Sequence, residues 1–324
     1  MNMEKVFKTH WTDELRELVA ATGQAGLTSR WNRWIQRNLN AWMSRLLMPA
    51  AFWPTERHSL ELRRNQLVEQ WQGQKWTIIT PDQVQLDAMF FPAPVDSKAR
   101  ATLVYFGGNA ESYETNPFVI PMVLQELGCN LVTFNYRQVG ESDGAIDGPG
   151  MLIDGYSVLQ AIEQYLLPLH TNQSLLLHGR SIGGAIATCV AATFQNGQRV
   201  TALCSERSFS SLDLVVSRLA PGHMASRFTS WMLRRSLWHF DPGSLWSRIG
   251  GQKIVVFHRL DTTVPHHASL YQSLSPQQLE QITAIELQHS FGVEPHNTPF
   301  YAPHAHMYDQ AAFRAYCTTL APHL

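Results

Sequence analysis

The chain has 324 residues, of which 44% are hydrophobic and 16% are charged, so it is long enough and apolar enough to bury a sizeable core. Its 25 Lys and Arg residues nearly balance 26 Asp and Glu residues, for a formal net charge of −1. Nucleic-acid binding depends on a positive excess that this balance lacks, so we expect no nucleic-acid partner. No run of about 18 apolar residues occurs, and polar sequence follows Met1–Lys5 where a secretory signal peptide is apolar. We therefore expect a cytoplasmic protein with no Sec signal peptide.

The cysteines show no spacing typical of a metal or redox site. The chain has four cysteines, and each lies singly in an apolar run: Cys129, Cys189, Cys204 and Cys317. Small buried thiols in a reducing compartment fit this pattern better than a disulfide framework. The 14 histidines lie mostly in loops. We therefore predict neither disulfides nor metal ligands.

Residues 1–54 differ from the rest of the chain because they are rich in Trp, Arg and Asn and contain no strand-like run. Apolar residues recur there at steps of three and four: Trp31, Trp34, Ile35, Leu39, Trp42, Met43, Leu46 and Leu47. The arginines fall mostly on other faces, which predicts an amphipathic helix that ends near Pro49 and Pro54. Two interpretations are open. The helix packs on the body of the protein, or its Trp and Arg side chains touch a membrane surface and make the protein peripheral to that membrane.

From Lys75 onward, short apolar runs alternate with helical patterns, as in βαβ units that build a mostly parallel sheet. Eight runs rich in β-branched and aromatic residues predict strands: Lys75–Thr80, Val84–Phe91, Ala101–Phe106, Asn130–Asn135, Ser174–His178, Val200–Cys204, Lys253–Phe257 and Ile282–Gln288. Helical patterns lie among the later strands or follow them: Phe118–Leu127, Gly150–Leu166, Gly183–Phe194, His267–Leu274 and His306–Leu320. The first two strands form an opening hairpin, and the whole pattern indicates an α/β protein.

Residues 209–248 form a stretch between two strands that is too long for a simple connection. Several large apolar side chains lie within it: Trp231, Met232, Leu233, Leu237 and Trp238. We interpret this stretch as a small cap over a site. The predicted division is an N-terminal helical extension over residues 1–54 and one α/β domain over residues 55–324 that includes the cap.

The most informative motif is G-x-S-x-G at Gly179–Gly183, which follows an apolar run and precedes Ala-rich helical sequence. A serine at such a strand-to-helix turn is held in a strained conformation that exposes its hydroxyl. Side chains at Gly179 and Gly183 would collide with the neighbouring strand and helix. The first N–H groups of the helix lie beside any oxyanion formed on a substrate carbonyl. This context predicts that Ser181 is a catalytic nucleophile, the alternative being a Gly-rich turn without a role.

From Lys75 to the C-terminus, the chain resembles the α/β-hydrolase superfamily. Members have an opening antiparallel hairpin and then strand–helix repeats, with nucleophile, acid and histidine in that order after the later strands. Asn135–Gly144 resembles the D/N-Y-R-G-x-G-x-S-x-G loop of serine-aminopeptidase-like and lipase-like hydrolases, with Gln138 in place of the central Gly. Arg207–Ser211 resembles the segment that follows the sixth strand in those groups. The resemblance implies an α/β-hydrolase fold with a mostly parallel eight-stranded sheet flanked by helices.

The resemblance also implies an oxyanion hole made of two backbone N–H groups. One belongs to Ile182, directly after the nucleophile. The other comes from the loop Tyr105–Glu111, where relatives often carry H-G-N-A and this chain has Gly107 in place of His. We predict Asn109 as the second donor and keep Ala110 as the alternative. A tight loop without a catalytic role is the remaining interpretation.

The candidate acid lies in Val255–Pro265, which resembles the strand–loop segment of this superfamily that ends in D-x-x-V-P. The resemblance implies that Asp261 orients the base. Its carboxylate would fix the imidazole tautomer and stabilise the imidazolium that forms when Ser181 loses its proton. An isolated Asp in a loop is otherwise a turn former.

Four histidines after the last predicted strand compete for the role of base: His289, His296, His304 and His306. His289 follows the strand at once and has little loop with which to reach the serine, whereas His304 and His306 adjoin the final helix. Pro295-His296-Asn297 resembles the G-H-N turn of relatives, with Pro295 in place of Gly. We predict His296 as the base and keep His306 as the alternative.

The predicted function is that of a serine hydrolase that needs no metal or cofactor. The apolar cap and the aromatic N-terminal helix favour a carboxylic ester or thioester with an acyl chain, as in lipases, lysophospholipases and acyl thioesterases. A helical leader before G-R-S-I-G-G is also similar to the SidB-like and chlamydial hydrolases of intracellular bacteria. Two alternatives stay open. The Asn135–Gly144 match favours an aminopeptidase-like hydrolase, and some superfamily members are non-catalytic binding modules, although such a module has no need for a complete Ser, His and Asp set.

Overall fold

One sheet forms the centre of the molecule. The computed structural model describes residues 4–21, 30–52, 57–97, 100–109, 111–116, 118–166, 174–194, 200–217, 223–288, 292–302 and 308–324. Within these ranges the strands are β1 Lys5–Lys8, β2 Gln74–Ile79, β3 Gln85–Phe91, β4 Ala101–Phe106, β5 Asn130–Phe134, β6 Ser174–Arg180, β7 Val200–Glu206, β8 Gln252–Phe257 and β9 Thr283–Glu286.

The strand order across the sheet is β1-β2-β3-β5-β4-β6-β7-β8-β9. Strand β3 runs antiparallel to both of its neighbours, and the other pairs are parallel. Every residue of the central strand β4 is buried, as expected for a parallel strand that is covered on both faces. The predicted α/β class and mostly parallel sheet are therefore confirmed.

The predicted strand number was wrong by one, because β1 adds a ninth strand among the described residues. It pairs in parallel with β2, with Lys5 opposite Trp76. The ring of Phe7 is buried 4.7 Å from the Trp76 ring, while Val6 is exposed on the other face. Residues 1–54 are therefore not free of strand structure. The four residues K-V-F-K form too short an alternation to predict a strand from sequence. The domain boundary at residue 54 stays a prediction.

Helices flank the sheet and fill its connections. They are α1 Asp13–Val19, α2 Arg30–Leu47, α3 Arg57–Trp71, α4 Val119–Pro121, α5 Gly148–Leu166, α6 Ile182–Thr193, α7 Leu212–Ser217, α8 His223–Arg235, α9 Pro242–Leu245, α10 Leu270–Ser273, α11 Pro276–Leu279 and α12 Gln310–Leu320. A π-helix over Met122–Leu127 continues α4. No helix in the described ranges combines the length and apolarity needed to cross a bilayer.

Two apolar cores lie on the two faces of the sheet, because alternate side chains of each strand point to opposite faces. Val104 and Leu177 belong to the core that includes α5 and α6. Leu103 and Leu176 belong to the core that includes α12. All four cysteines are free thiols, three of them buried. Because β4, β6, β7 and β8 are parallel, the loops after them meet at one carboxyl edge of the sheet, where functional side chains converge.

Candidate active site

The serine of the G-x-S-x-G motif lies between β6, which ends at Arg180, and α6, which begins at Ile182. Its backbone has φ 55° and ψ −122°, a conformation that an L-residue adopts only under strain. Its N–H donates to the carbonyl of Glu206 at 2.8 Å, and its carbonyl accepts from the N–H of Gly184 at 3.0 Å. These bonds to the neighbouring strand and helix hold Ser181 in the strained turn.

The two flanking glycines are required by close backbone approach. A Cβ atom on Gly179 would overlap the backbone of Gly183 and Gly184. A Cβ atom on Gly183 would overlap the carbonyl oxygens of Phe106 and Gly107, where the β4 loop begins. The tight packing predicted for the motif is therefore present, and it brings the β4 loop against the start of α6.

Three distant residues meet at this turn in one hydrogen-bonded chain. The Oγ atom of Ser181 lies 3.1 Å from Nε2 of His296, and Nδ1 of His296 lies 2.8 Å from Oδ2 of Asp261. A carboxylate can only accept, so Nδ1 carries the proton and Nε2 accepts from the serine hydroxyl. All three side chains are buried. This order of donors is the one needed for His296 to remove a proton from Ser181.

The Asp261 carboxylate is fixed by its own loop. Its Oδ1 atom accepts from the N–H groups of Thr263 at 2.9 Å and Val264 at 2.7 Å, which leaves Oδ2 for the imidazole. Thr262 donates from its backbone and its hydroxyl to Glu294, two residues before His296. The loop after β8 is thus joined to the segment that carries the histidine.

Ser181 as a whole residue is 8% exposed, and the predicted exposure of its hydroxyl group stays a prediction. The imidazole of His296 contacts its hydroxyl and is itself buried. Among the described residues, His296 is the histidine that contacts the serine. The competing histidines His289, His304 and His306 lie outside the described residues, so the choice among the four stays a prediction.

The predicted oxyanion donors lie on adjoining segments. Ile182 is the first residue of α6, where a helix leaves its N–H groups without intrahelical partners. Asn109 lies in the loop after β4 that Gly183 contacts, and the neighbouring N–H of Gly108 donates to Glu111 at 2.8 Å. Because the N–H of Gly108 already donates to Glu111, it is not free to bind an oxyanion. Ala110 lies outside the described residues. The roles of Ile182 and Asn109 stay predictions.

Two arginines, to which the sequence motifs assign no role, hold the histidine loop through its backbone. Arg180 donates from Nη2 to the carbonyl of His296 at 2.9 Å. Arg207 donates from Nη1 to the carbonyl of Pro295 at 3.0 Å and also to that of Thr298. Arg180 is the last residue of β6 and Arg207 directly follows the adjacent strand β7, so these two arginines fix the base relative to the elbow.

The buried carboxylate of Glu206 balances the positive charge of these arginines. Glu206 pairs with Arg207, lies 4.0 Å from Nε of Arg180, and makes a 2.8 Å hydrogen bond with Nε2 of His178. Burial alone would raise the pKa of Glu206, but the Arg207 guanidinium, the His178 hydrogen bond and Arg180 hold that pKa well below its usual range. Glu111 forms the second pair with Arg180 and so links the β4 loop to the histidine loop. The sequence shows both arginines, one inside G-x-S-x-G and one after β7, but not these long-range partners.

A cavity of about 330 Å³ borders the histidine loop at Asn297–Pro299. Its walls include Glu111, Arg180, Arg207, Asn297 and Tyr301, whereas Ser181 and His296 do not line it. The two arginines that position the histidine, Arg180 and Arg207, therefore line a cavity that is large enough to hold water.

The departure from the family pattern at Gln138 has a local explanation. The residue has φ 65°, the left-handed conformation that the usual glycine adopts. Its side chain stabilises the turn, because Oε1 accepts from the N–H of Ile146 at 2.9 Å and Nε2 donates to the carbonyl of Ala51 at 3.3 Å. Gln138 therefore ties the loop after β5 to the segment that follows α2.

A family model described as the alpha/beta hydrolase fold matches residues 101–240, a range that includes the G-x-S-x-G elbow. The chain has the α/β-hydrolase fold. Its solved structural relatives include the esterase Pf2001 of Pyrococcus furiosus, with a TM-score of 0.58, 15% identity, and 79% of this chain and 92% of that chain covered. That likeness shows the fold alone.

Two curated relatives of this α/β-hydrolase-fold protein match parts of its sequence. Protein bem46 of Schizosaccharomyces pombe is 30% identical over 151 residues, 46% of this chain and 49% of that protein. Lysophosphatidylserine lipase ABHD12 of Danio rerio is 32% identical over 112 residues, 34% of this chain and 28% of that protein. The chain spans about half the length of bem46 and about a quarter of the length of ABHD12.

Proposed function

We propose that the protein is a serine hydrolase that cleaves carboxylic esters through an acyl-enzyme. The observation that carries the proposal is the hydrogen-bonded chain from Ser181 through His296 to Asp261, at a strained strand-to-helix turn. A non-catalytic module of the same fold would have no physical need for this chain of donors, and the strained φ of Ser181 would cost it about 1–3 kcal/mol.

The chemistry follows from this geometry. Oγ of Ser181 attacks the ester carbonyl as its proton passes to Nε2 of His296, and Asp261 stabilises the imidazolium. The N–H groups of Ile182 and Asn109 would hold the negative oxygen of the tetrahedral intermediate. His296 then gives its proton to the leaving alcohol, and the acyl-enzyme remains. Water adds to this ester, again through His296, and releases the acid and free Ser181.

We propose an ester with an acyl chain as the substrate class. The names of two relatives support it: one is an esterase and the other a lysophosphatidylserine lipase. A thioester would react by the same steps. An aminopeptidase-like activity is the alternative, which the Asn135–Gly144 match favours, and it would need the same three side chains.

Turnover of a panel of p-nitrophenyl esters of increasing chain length, with a lysophospholipid and an aminoacyl anilide beside them, tests this function. We expect the esters to be cleaved and Ser181→Ala to lose at least about 10⁴-fold in kcat/KM. Ser205→Ala is the matched control, because it removes a buried hydroxyl on β7 that has no hydrogen-bond partner in the described structure. Equal ester turnover by Ser181→Ala and wild type would refute the proposal, and cleavage of the anilide alone would favour the peptidase.

A further inference from the structure

Helices α2 and α8 come from distant parts of the sequence and pack against each other. Their inner faces bury Met43 and Leu233 completely, and both side chains belong to the core that also contains Leu177. The first interpretation of the N-terminal helix, that it packs on the body, therefore describes its inner face. The outer faces of the two helices remain to be explained.

Large apolar side chains stand on those outer faces. Trp42 and Leu46, one helical turn apart on α2, are 52% and 42% exposed, and Phe228 and Trp231 on α8 are 58% and 43% exposed. The rings of Phe228 and Trp231 stack at 5.8 Å. Clustered exposed apolar groups of this size mark interaction sites in proteins that otherwise bury them.

Charge is segregated in the same two helices. They contain seven arginines and no Asp or Glu, although the whole chain has a net charge of −1. Arg37, Arg45 and Arg227 are exposed. The guanidinium of Arg235 lies 5.6 Å from the centre of the Trp231 ring. A partner that fits this surface must offer both negative charge and an apolar layer.

The surface lies on the same edge of the sheet as the triad. The hydroxyl of Ser44 on α2 donates to the carbonyl of Ile146 at 2.9 Å, and Gln138 donates to Ala51 just after α2. Both contacts are made by the loop after β5 at the carboxyl edge. Helix α8 belongs to the connection that leaves the carboxyl end of β7, where Glu206 and Arg207 hold the histidine loop.

We propose that α2 and α8 form a docking surface for a bilayer that contains anionic phospholipid, with Trp42, Leu46, Phe228 and Trp231 in the interface and the arginines on the head groups. Trp and Arg are the side chains that interfacial helices place at this depth. A second copy of the chain would bring the same arginines against themselves, and a nucleic acid offers no layer for Leu46. This proposal does not depend on the proposed function.

Vesicle flotation tests the proposal with full-length protein and ether-linked lipids, which an ester hydrolase cannot cleave. We expect binding to phosphatidylcholine vesicles that contain phosphatidylglycerol and much weaker binding to phosphatidylcholine alone. Each arginine near such a surface contributes about a five-fold gain in partition, so Arg37→Glu with Arg227→Glu should lower binding by at least about 25-fold. Trp42→Ala with Trp231→Ala should lower it as well.

Matched controls separate the surface from general effects. Arg248→Glu with Arg314→Glu changes the charge equally at two other exposed positions, and Leu62→Ala with Val95→Ala removes exposed apolar side chains elsewhere. Both controls should bind as wild type does, and all four variants should keep the wild-type melting temperature, because each change is made at exposed positions. The proposal would be overturned if the wild type bound neither vesicle, or if the α2–α8 variants bound as tightly as the wild type. It would also be overturned if the wild type formed a dimer instead of binding vesicles and Trp42→Ala with Trp231→Ala dissociated that dimer. Binding to a single-stranded oligonucleotide and not to vesicles would also overturn it.

Discussion

Two regions at the carboxyl edge depend on arginine in opposite ways. At the histidine loop, Arg207 is buried and Arg180 is mostly buried, and the two are paired with Glu206 and bonded to three backbone carbonyls. On the α2–α8 surface, the helices supply no acidic residue, and Arg37 and Arg227 are exposed. Burial decides the role: a buried guanidinium has fixed partners and sets geometry, whereas an exposed one remains available to a partner outside the chain.

The free energies differ in the same way. Removing one member of a buried ion pair leaves an uncompensated charge and costs about 3–5 kcal/mol, whereas surface pairs contribute about 0–1 kcal/mol. We therefore expect large effects on activity at the triad, effects on both stability and activity at its two arginines, and effects on membrane association at the exposed arginines of α2 and α8.

The largest effect is expected for the base. His296→Ala should lower kcat about as far as loss of Ser181, on the order of 10⁶-fold, because the two residues act as one unit and their losses do not add. His289→Ala, His304→Ala and His306→Ala should each retain most of the wild-type rate. Steady-state rates on one p-nitrophenyl ester measure all four. If His306→Ala is inactive and His296→Ala is not, the base has been assigned to the wrong loop.

A smaller effect is expected for the acid. Asp261→Asn keeps the shape of the side chain but offers the imidazole an amide, so the wrong tautomer forms and kcat should fall on the order of 10³- to 10⁴-fold. The same rate assay checks it, with melting temperature as the control for folding. A near-normal rate would mean that another carboxylate orients the histidine.

Arg207 tests the comparison between buried and exposed arginine directly. Arg207→Met should lower stability by about 3 kcal/mol or more, because it leaves Glu206 buried without its nearest cation, and should lower kcat about 10- to 100-fold through a displaced histidine loop. Arg207→Lys should recover stability more than kcat, since an ammonium cannot reach both carbonyls and the carboxylate. Arg37→Met on α2 should change stability by less than about 0.5 kcal/mol. Chemical denaturation and ester kinetics measure both, and equal losses at positions 207 and 37 would contradict the comparison.

The smallest expected effect is a change in folding stability with pH that depends on Glu206. The pKa of Glu206 is depressed in the folded protein, so its ion pairs stabilise the fold fully above the ordinary value of 4.5 and progressively less as the pH falls below it. Glu206→Gln should therefore be less stable than wild type at neutral pH, and the difference should narrow as the pH falls below about 4.5. Melting temperatures over that range check it. A difference that is independent of pH would show that the carboxylate contributes by packing and not by charge.

Much of the fold could be predicted because the signals are local. Eight strands and the α/β class follow from apolar runs that fill two buried faces, and α2 follows from its periodicity. Strand β1 has only four residues, and it forms because Phe7 meets Trp76 some seventy positions away. No local pattern carries that information.

The candidate site divides in the same way. Ser181, Asp261 and His296 lie in short motifs, and the structure places them within hydrogen-bond distance of one another, while their catalytic roles stay predictions. The carbonyl bonds of Arg180 and Arg207 join segments about ninety or more residues apart. Such long-range bonds could not be obtained from the spacing of the motifs.

Reaction with a fluorophosphonate, followed by intact mass and peptide mapping, tests whether Ser181 is the nucleophile, because the reagent captures only a serine that a neighbouring base activates. We expect one phosphonyl group per folded chain on the peptide that contains Ser181, no label in Ser181→Ala, and very slow labelling in His296→Ala. The Ser205→Ala variant should be labelled as completely as the wild type. An intact, folded wild-type protein that remains unlabelled, or that carries the label on another serine, would contradict the assignment of Ser181 as the nucleophile.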